Sequence, residues 1–310
     1  MKNTIYIIGA GAVGKTLAVF LKKAGKNVSL VRGSVDDTAS RMEKIRVVSA
    51  DKTETQAEIQ ISSLSNFPQL DGIIVLTNKS FGNRNLAELL QEKTNGSPLV
   101  ILQNGLGVEQ PFIDRDYPEI YRCVLFVTSQ LVSENNVSFK PVAVSPIGII
   151  KGGPAKLTEI VEELNNSAFP FKAETDIQTV IWKKAIINSV FNSICPLLEV
   201  DNGIFHREEK VLEIAKRIIA ECVTIAGEKG IYLETGEVLE RLLLISKSSD
   251  GQLISTLQDI LNKRPTEIET LNFAIVDIAK KLDKENLVIE TKLLGELTKL
   301  KSDLSRDLKS

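Results

Sequence analysis

Lys184, Asn188 and Asn192 recur at i, i+4 and i+8 within Ile181-Trp182-Lys183-Lys184-Ala185-Ile186-Ile187-Asn188-Ser189-Val190-Phe191-Asn192. On a helix this spacing lines them up along one stripe. The remainder of the segment is apolar on most sides, which predicts a buried helix. A buried ammonium or amide left without a partner costs on the order of 1 to 3 kcal/mol, so something polar must face the stripe. Two occupants fit: a packed network between helices, or a substrate. Ketone reduction needs a hydride for carbon and a proton for the forming alkoxide. A lysine whose pKa is drawn toward working pH by partial burial can give that proton, and asparagine amides can orient the carbonyl. A carboxylate able to hold a substrate hydroxyl is offered by Glu267, in Arg264-Pro265-Thr266-Glu267-Ile268-Glu269, with Ser255 and Asp259 a little upstream. An acid in the first turn of a helix starting at 265 or 266 would equally serve the helix dipole.

A hydride source is suggested at the other end of the chain. Gly9-Ala10-Gly11-Ala12-Val13-Gly14 fits GxGxxG between an expected strand and an expected helix. In that context Gly9 allows the tight turn, Gly11 lets backbone approach a pyrophosphate, and Gly14 permits close helix–strand packing. The helix N-terminus adds oriented N–H donors and a positive dipole. An NAD site expects an acid about 20 residues past the motif. Here the second strand ends in Arg32-Gly33-Ser34 and no acid appears before Asp36. A guanidinium can grip a 2′-phosphate bidentately where a carboxylate would repel it, so the expected cofactor is NADP(H). Lys79 and Asn104 follow the third and fourth expected strands, at the ends where open α/β sheets bind ligands.

The elements that would position these groups fall into two halves. Strands are expected at 4–8, 28–31, 72–76 and 98–102, alternating with helices at 15–24 and 86–93, and a β-rich stretch at 124–150 should close the sheet. Unbroken apolar strands alternating with helices imply a parallel sheet covered on both faces. From about 177 onward the pattern is helical, at 177–198, 210–229, 235–245 and 266–282, with a last helix from about 287. The expected architecture is α/β: a doubly wound, nucleotide-binding sheet domain (1–169), followed by an all-helical domain carrying substrate and catalytic groups (170–310).

Composition excludes other classes. The chain has 310 residues, 43% hydrophobic and 25% charged, with a net charge of −2. This argues for about two folded domains and against a nucleic-acid or membrane-surface partner. With one histidine, His206, neither a His-based metal cluster nor a Ser-His-Asp triad is expected, and His206 itself looks like a surface or capping residue. The 3 cysteines, Cys123, Cys195 and Cys222, form no CxxC, so no disulfide framework is expected; Cys195 and Cys222 read as core filling. Lys15 interrupts the apolar N-terminal stretch and no small-residue cleavage site follows, which argues against a signal peptide. A cytoplasmic protein without a membrane span is expected.

Taken together these residues resemble the ketopantoate reductase (2-dehydropantoate 2-reductase) family, nearly end to end. The markers are Gly9, Gly11 and Gly14; Lys79; Gln103-Asn104-Gly105; Trp182-Lys183-Lys184 with Asn188 and Asn192; and Ser255-x-x-Gln258-Asp259 leading to Thr266-Glu267-Ile268. The resemblance implies a Rossmann-type domain followed by a helical one, and NADPH-dependent reduction of ketopantoate to pantoate. It makes Lys184 the proton donor and Glu267 a substrate anchor. Ser255 would hold the substrate carboxylate, Lys79 would lie near the nicotinamide, and Asn104, Asn188 and Asn192 would contact cofactor or substrate. A homodimer is compatible with it. The family pattern is altered at Thr128-Ser129-Gln130-Leu131, at Phe273 and over 286–291, where a proline and an asparagine are missing. Two alternatives therefore stay open: a reductase of a different small 2-oxo acid, and an NADPH-binding regulator without turnover.

Overall fold

The structure is a computed structural model that describes residues 4–33 and 39–307; Ser34 and Asp36 lie outside the described residues. The chain divides into two compact units, one of residues 1–103 and 108–177, the other of residues 104–107 and 178–310.

The first unit is built on one sheet. Its strands are β1 (Thr4–Ile8), β2 (Asn27–Val31), β3 (Arg41–Ser49), β4 (Glu54–Ser62), β5 (Gly72–Leu76), β6 (Leu99–Ile101), β7 (Ile120–Cys123), β8 (Val127–Ser133), β9 (Asn136–Pro141), β10 (Ser145–Lys151) and β11 (Phe171–Ala173). They lie in the order β11-β10-β7-β6-β5-β1-β2-β4-β3-β9-β8. The pairs β1–β2, β1–β5, β2–β4, β5–β6 and β6–β7 are parallel. The stretch from β4 through β2, β1, β5 and β6 to β7 thus reproduces the doubly wound order 3-2-1-4-5-6. Its central strands are apolar runs because both faces are covered. One core gathers Ile5, Ile7, Leu17, Leu21 and Val75 with Leu157 and Ile160, joining the sheet to α1 (Ala12–Lys23) and α4 (Pro154–Leu164). The other gathers Ile8, Ile74, Leu86, Leu90 and Phe112, joining it to α2 (Asn83–Gln91) and α3 (Gln110–Ile113).

The β-rich stretch splits between the two ends of the sheet. The hairpin β8–β9 pairs through β9 with β3, while β10 crosses to lie antiparallel to β7. The hairpin β3–β4, β7 and the short β11 are not among the expected strands. On β3 buried Glu43, Ile45 and Val47 alternate with exposed Met42, Lys44 and Arg46, the period-two signature of a half-covered antiparallel strand. β11 has three residues, too few to carry a pattern.

The second unit holds nearly all of α5 (Ile177–Leu198), then α6 (Ile204–Arg207), α7 (Glu209–Glu228), α8 (Thr235–Ser248), α9 (Ser255–Leu261), α10 (Asn272–Lys281) and α11 (Ile289–Asp307). Residues 104–107, the loop after β6, belong to it. α5 is buried on most sides, with Ile186, Val190, Phe191 and Cys195 almost inaccessible. Its buried hydroxyls are satisfied within the helix, Ser189 Oγ donating to the Ala185 carbonyl at 2.9 Å and Ser193 Oγ to the Ser189 carbonyl at 2.6 Å. The expected helix at 266–282 is shorter. A 3-10 turn (Ile268–Thr270) intervenes, Leu271 adopts φ −110°, ψ −99°, and the α-helix begins only at Asn272. No helix among the described residues is long and apolar enough to cross a membrane.

Candidate active site

In the first unit the topological switch point lies between β1 and β5, and both GxGxxG and Lys79 sit at the C-terminal ends of these strands. A Cβ on Gly14 would overlap the Gly9 carbonyl oxygen, so the turn tolerates nothing larger there. A Cβ on Gly11 would meet nothing within 4 Å, which leaves this stretch of backbone open to a ligand. No acidic residue occupies the first turn of α1. The N-terminal N–H groups and their positive dipole are therefore uncompensated by a carboxylate from that turn.

Beside the turn is a cleft of about 390 Å³ lined by Ala10, Lys15, Arg32, Gly33, Arg41, Glu43, Ile61, Leu131 and Glu134. Arg32 is half-buried, and its backbone N–H is tied to the Ser62 carbonyl at 2.8 Å. Arg41 is half-exposed; its Nε donates to Glu43 Oε1 at 2.5 Å and its guanidinium lies 3.3 Å from Glu134. Lys15 is only 5% exposed. Its Nζ donates to the Glu134 carbonyl at 2.6 Å and to Asn135 Oδ1 at 2.9 Å, and it stands 3.8 Å from Glu43 Oε2. Burial lowers the Lys15 pKa, with Glu43 and Glu134 opposing. The buried Glu43 Oε2 accepts no hydrogen bond. Three cations thus meet two acids, and Glu43 is screened by Arg41 and Lys15. Sequence reasoning does not single out Lys15, Arg41 or Glu43. The alternation along β3 is the signal available for two of them; nothing local marks Lys15 as buried.

The loops after β5 and β6 are tied by a side-chain network. Gln103 Nε2 donates to the Asn78 carbonyl at 2.9 Å and to Asn83 Oδ1 at 2.8 Å, while Asn83 Nδ2 donates to Gln103 Oε1 at 2.6 Å and to the Val108 carbonyl at 2.8 Å. The almost fully buried Arg122 pairs with Glu109 at 2.8 Å and reaches the Gln103 carbonyl at 3.3 Å. Lys79 is exposed, and it precedes the 3-10 turn Ser80–Gly82.

In the second unit Lys184 and Asn188 are half-buried and Asn192 is buried. Lys183 pairs with Glu237 at 2.5 Å. Asn192 Nδ2 donates to the Asn188 carbonyl at 2.9 Å, and its Oδ1 accepts from Ser255 Oγ at 3.1 Å and from the Thr256 N–H at 3.2 Å. Asn192 therefore ties the start of α9 to α5, and Ser255 is part of the same cluster. Glu267 is half-buried ahead of the 3-10 turn and makes no side-chain capping bond to it. The helix-start explanation for an acid at this position does not apply. The Glu267 carbonyl accepts from the Thr270 N–H and Oγ1, each at 3.1 Å, and the Thr270 carbonyl accepts from the Leu106 N–H at 2.8 Å. Gly105, at φ +97°, lies so close to Thr270 that a Cβ there would collide with it. The Asn104 loop and the Glu267 loop are thereby joined in one unit. His206 Nδ1 meets Ser246 Oγ at 3.1 Å, a structural contact. Phe273, where the family pattern is altered, packs against α11 under the Lys299 ammonium, 5.5 Å from the ring centroid.

A doubly wound sheet with a glycine turn at its switch point, followed by a helical unit bearing a Lys–Asn–Asn stripe, defines the class of nucleotide-dependent oxidoreductases with a helical second domain. Comparison with known proteins carries this further. The family described as "Ketopantoate reductase PanE/ApbA" matches residues 5–148, and its C-terminal counterpart, "Ketopantoate reductase PanE/ApbA C terminal", matches residues 176–296. The chain belongs to the ketopantoate reductase family. A relative, the 2-dehydropantoate 2-reductase of Pyrococcus horikoshii, is 29% identical over 290 residues, 91% of this chain and 92% of that protein. Among solved structures, a PanE/ApbA family ketopantoate reductase from Ralstonia eutropha JMP134 superposes with TM-score 0.83 at 22% identity, covering 98% of this chain and 99% of that one. D-mandelate dehydrogenase, solved with NADH and anilino(oxo)acetate, gives TM-score 0.83 at 22% identity over 97% and 99% of the two chains. The protein is an oxidoreductase of the 2-oxo acid/2-hydroxy acid class.

Proposed function

We propose that the chain reduces ketopantoate to pantoate with NADPH in the cytoplasm, as a homodimer. The observation that supports this best is the stripe of Lys184, Asn188 and Asn192, joined to Ser255 and accompanied in the same unit by Asn104 and Glu267. When bound, the reduced nicotinamide supplies a hydride. The backbone at residues 9–14 and the N-terminus of α1 hold the pyrophosphate, Arg32 and Arg41 hold the 2′-phosphate, and Lys79 and Asn104 steady the nicotinamide end. Lys184 Nζ holds the proton that passes to the carbonyl oxygen as it becomes a hydroxyl. Glu267 accepts a hydrogen bond from the substrate's remote hydroxyl, Ser255 donates to its carboxylate, and Asn188 orients the carbonyl. Asn192 fixes Ser255 through the contacts described above.

NADP(H) is favoured over NAD(H) by the cationic excess around Arg32 and by the screening of Glu43. D-mandelate dehydrogenase was solved with NADH, so the two nucleotides must be compared directly. A second reading, another small 2-oxo acid, rests on the altered pattern at Phe273; the packing of that ring on α11 argues for a change in helix contacts instead. Following NADPH consumption with ketopantoate and with a panel of aliphatic and aromatic 2-oxo acids tests the substrate. Turnover highest with ketopantoate supports this function; preference for another 2-oxo acid selects the second reading. NADPH binding without turnover on any member supports the regulator and refutes a catalytic role.

A further inference from the structure

Helix α11 is amphipathic the wrong way round. Its buried face is made of Thr291, Gly295, Thr298 and Ser302, and the Ser302 hydroxyl has no hydrogen-bond partner there. The opposite face carries Ile289, Leu293, Leu297, Leu300 and Leu304, exposed by 63, 51, 42, 54 and 54%. A helix that served only its own unit would place leucines inward and hydroxyls outward. Contiguous apolar surface of this kind marks an interaction site.

We propose that this face is the seam of a parallel, two-stranded coiled coil with α11 of a second copy of the chain. The four leucines are spaced 4-3-4, the d-a-d-a rhythm of a heptad, so the stripe fits another helix better than a flat surface. The buried small residues then occupy the b and f positions, opposite the seam, which points the body of each protomer away from it. Flanking charge selects both partner and direction. Glu296 falls at g and Lys301 at the following e, so in the parallel register Glu296 faces the partner's Lys301 twice about the two-fold axis. An antiparallel register would set Glu296 near the partner's Asp303, two like charges. Lys301 Nζ already pairs with Glu199 at 2.7 Å, and an ammonium has donors to spare for a second carboxylate. Five half-exposed side chains at roughly 80 Å² each give about 400 Å² per copy and about 800 Å² per pair. Adding the stems of Glu296 and Lys301 brings the contact to the lower end of specific interfaces, so a dimer that dissociates on dilution is expected.

Sedimentation velocity on the full chain across a dilution series is the test. The wild type should exchange between monomer and dimer. The L297E/L300E variant should be monomeric throughout with an unchanged thermal melt, because both side chains are exposed in the monomer. Should that variant fail to fold, the charge pair decides. E296K and K301E should each weaken association about tenfold, the worth of a peripheral ion pair exchanged for a like-charge contact, and E296K/K301E together should restore it. Leu300→Cys should cross-link to its counterpart on oxidation, as the parallel register requires. Three results would each overturn the proposal. They are a wild type that stays monomeric, a dimer indifferent to these changes, and an L297C/L300C variant that cross-links only from position 297 of one copy to position 300 of the other.

Discussion

At the residue scale, the same residue type does different work according to its partners. Lys15, Lys183 and Lys184 illustrate this. Lys15 is buried among Glu134, Asn135 and Glu43 and anchors the β8–β9 hairpin to α1. Lys183 is engaged by Glu237, and Lys184 lies half-buried on the polar stripe. The arginines at the cleft are the most direct handle on cofactor choice. Replacing Arg32 with Asp removes charge-assisted hydrogen bonds of about 1.5 to 3 kcal/mol and adds repulsion. NADP+ should then bind at least tenfold to hundredfold more weakly by calorimetry, while NAD+ should bind nearly as before. Equal losses for both nucleotides would undo the assignment of the phosphate to this cleft. The glycine turn and the lysine stripe are legible from residue type and spacing, since each is local. Arg41, Glu43 and Arg122 are not, because Glu134, Lys15 and Glu109, which they meet, lie on other elements of the fold.

Element by element, polar side chains define where helices begin and how loops are held. Glu221 accepts from the Glu290 and Thr291 N–H groups at 3.0 and 2.8 Å and so pins the start of α11, where the family pattern of proline and asparagine is missing. Asp201 plays the same part between α5 and α6, accepting from both Arg207 Nη2 contacts at 2.9 Å and from the Gly203 N–H at 2.7 Å. The Arg207 guanidinium, foremost, holds the Asp201 carboxyl down from 3.8 to about 2. A folded-state pKa below the unfolded one stabilises the protein above pH 3.8 and loses that contribution as pH falls toward 2. Asp201→Asn should therefore destabilise the protein by about 1 to 2 kcal/mol near neutrality, solvent screening included. Urea titrations should show that deficit shrinking by about half at pH ~3; a deficit independent of pH would assign the role to shape instead of charge. Long periodic elements such as α5, α7 and α8 are legible from sequence because their apolar spacing persists over several turns. The break between Glu267 and Asn272 is not. A 3-10 turn followed by one irregular residue leaves the apolar period nearly intact, so its position depends on contacts such as that of Thr270 with Leu106.

Across the whole molecule, the division of labour follows the two units. The sheet unit contributes the glycine turn, the cationic cleft and the network of Gln103, Asn83 and Arg122. The helical unit contributes the stripe, Ser255 and Glu267, together with the 104–107 loop that the chain lends it from the end of β6. The central strands β1, β2, β5 and β6 are readable from apolar runs alternating with helices; β3 and β4 are not, because strands with one covered face interleave polar or charged residues with apolar ones. The three cysteines are buried and unbridged, and burial raises the thiols of Cys195 and Cys222 to about 12, so neither offers a thiolate to the chemistry. The proposed catalysis rests instead on Lys184. Its most direct test is steady-state turnover of ketopantoate with NADPH by Lys184→Ala, measured alongside NADPH binding. The account predicts that kcat falls by about 10² to 10⁴ while the NADPH dissociation constant stays within about twofold. An unchanged kcat with intact binding would contradict it.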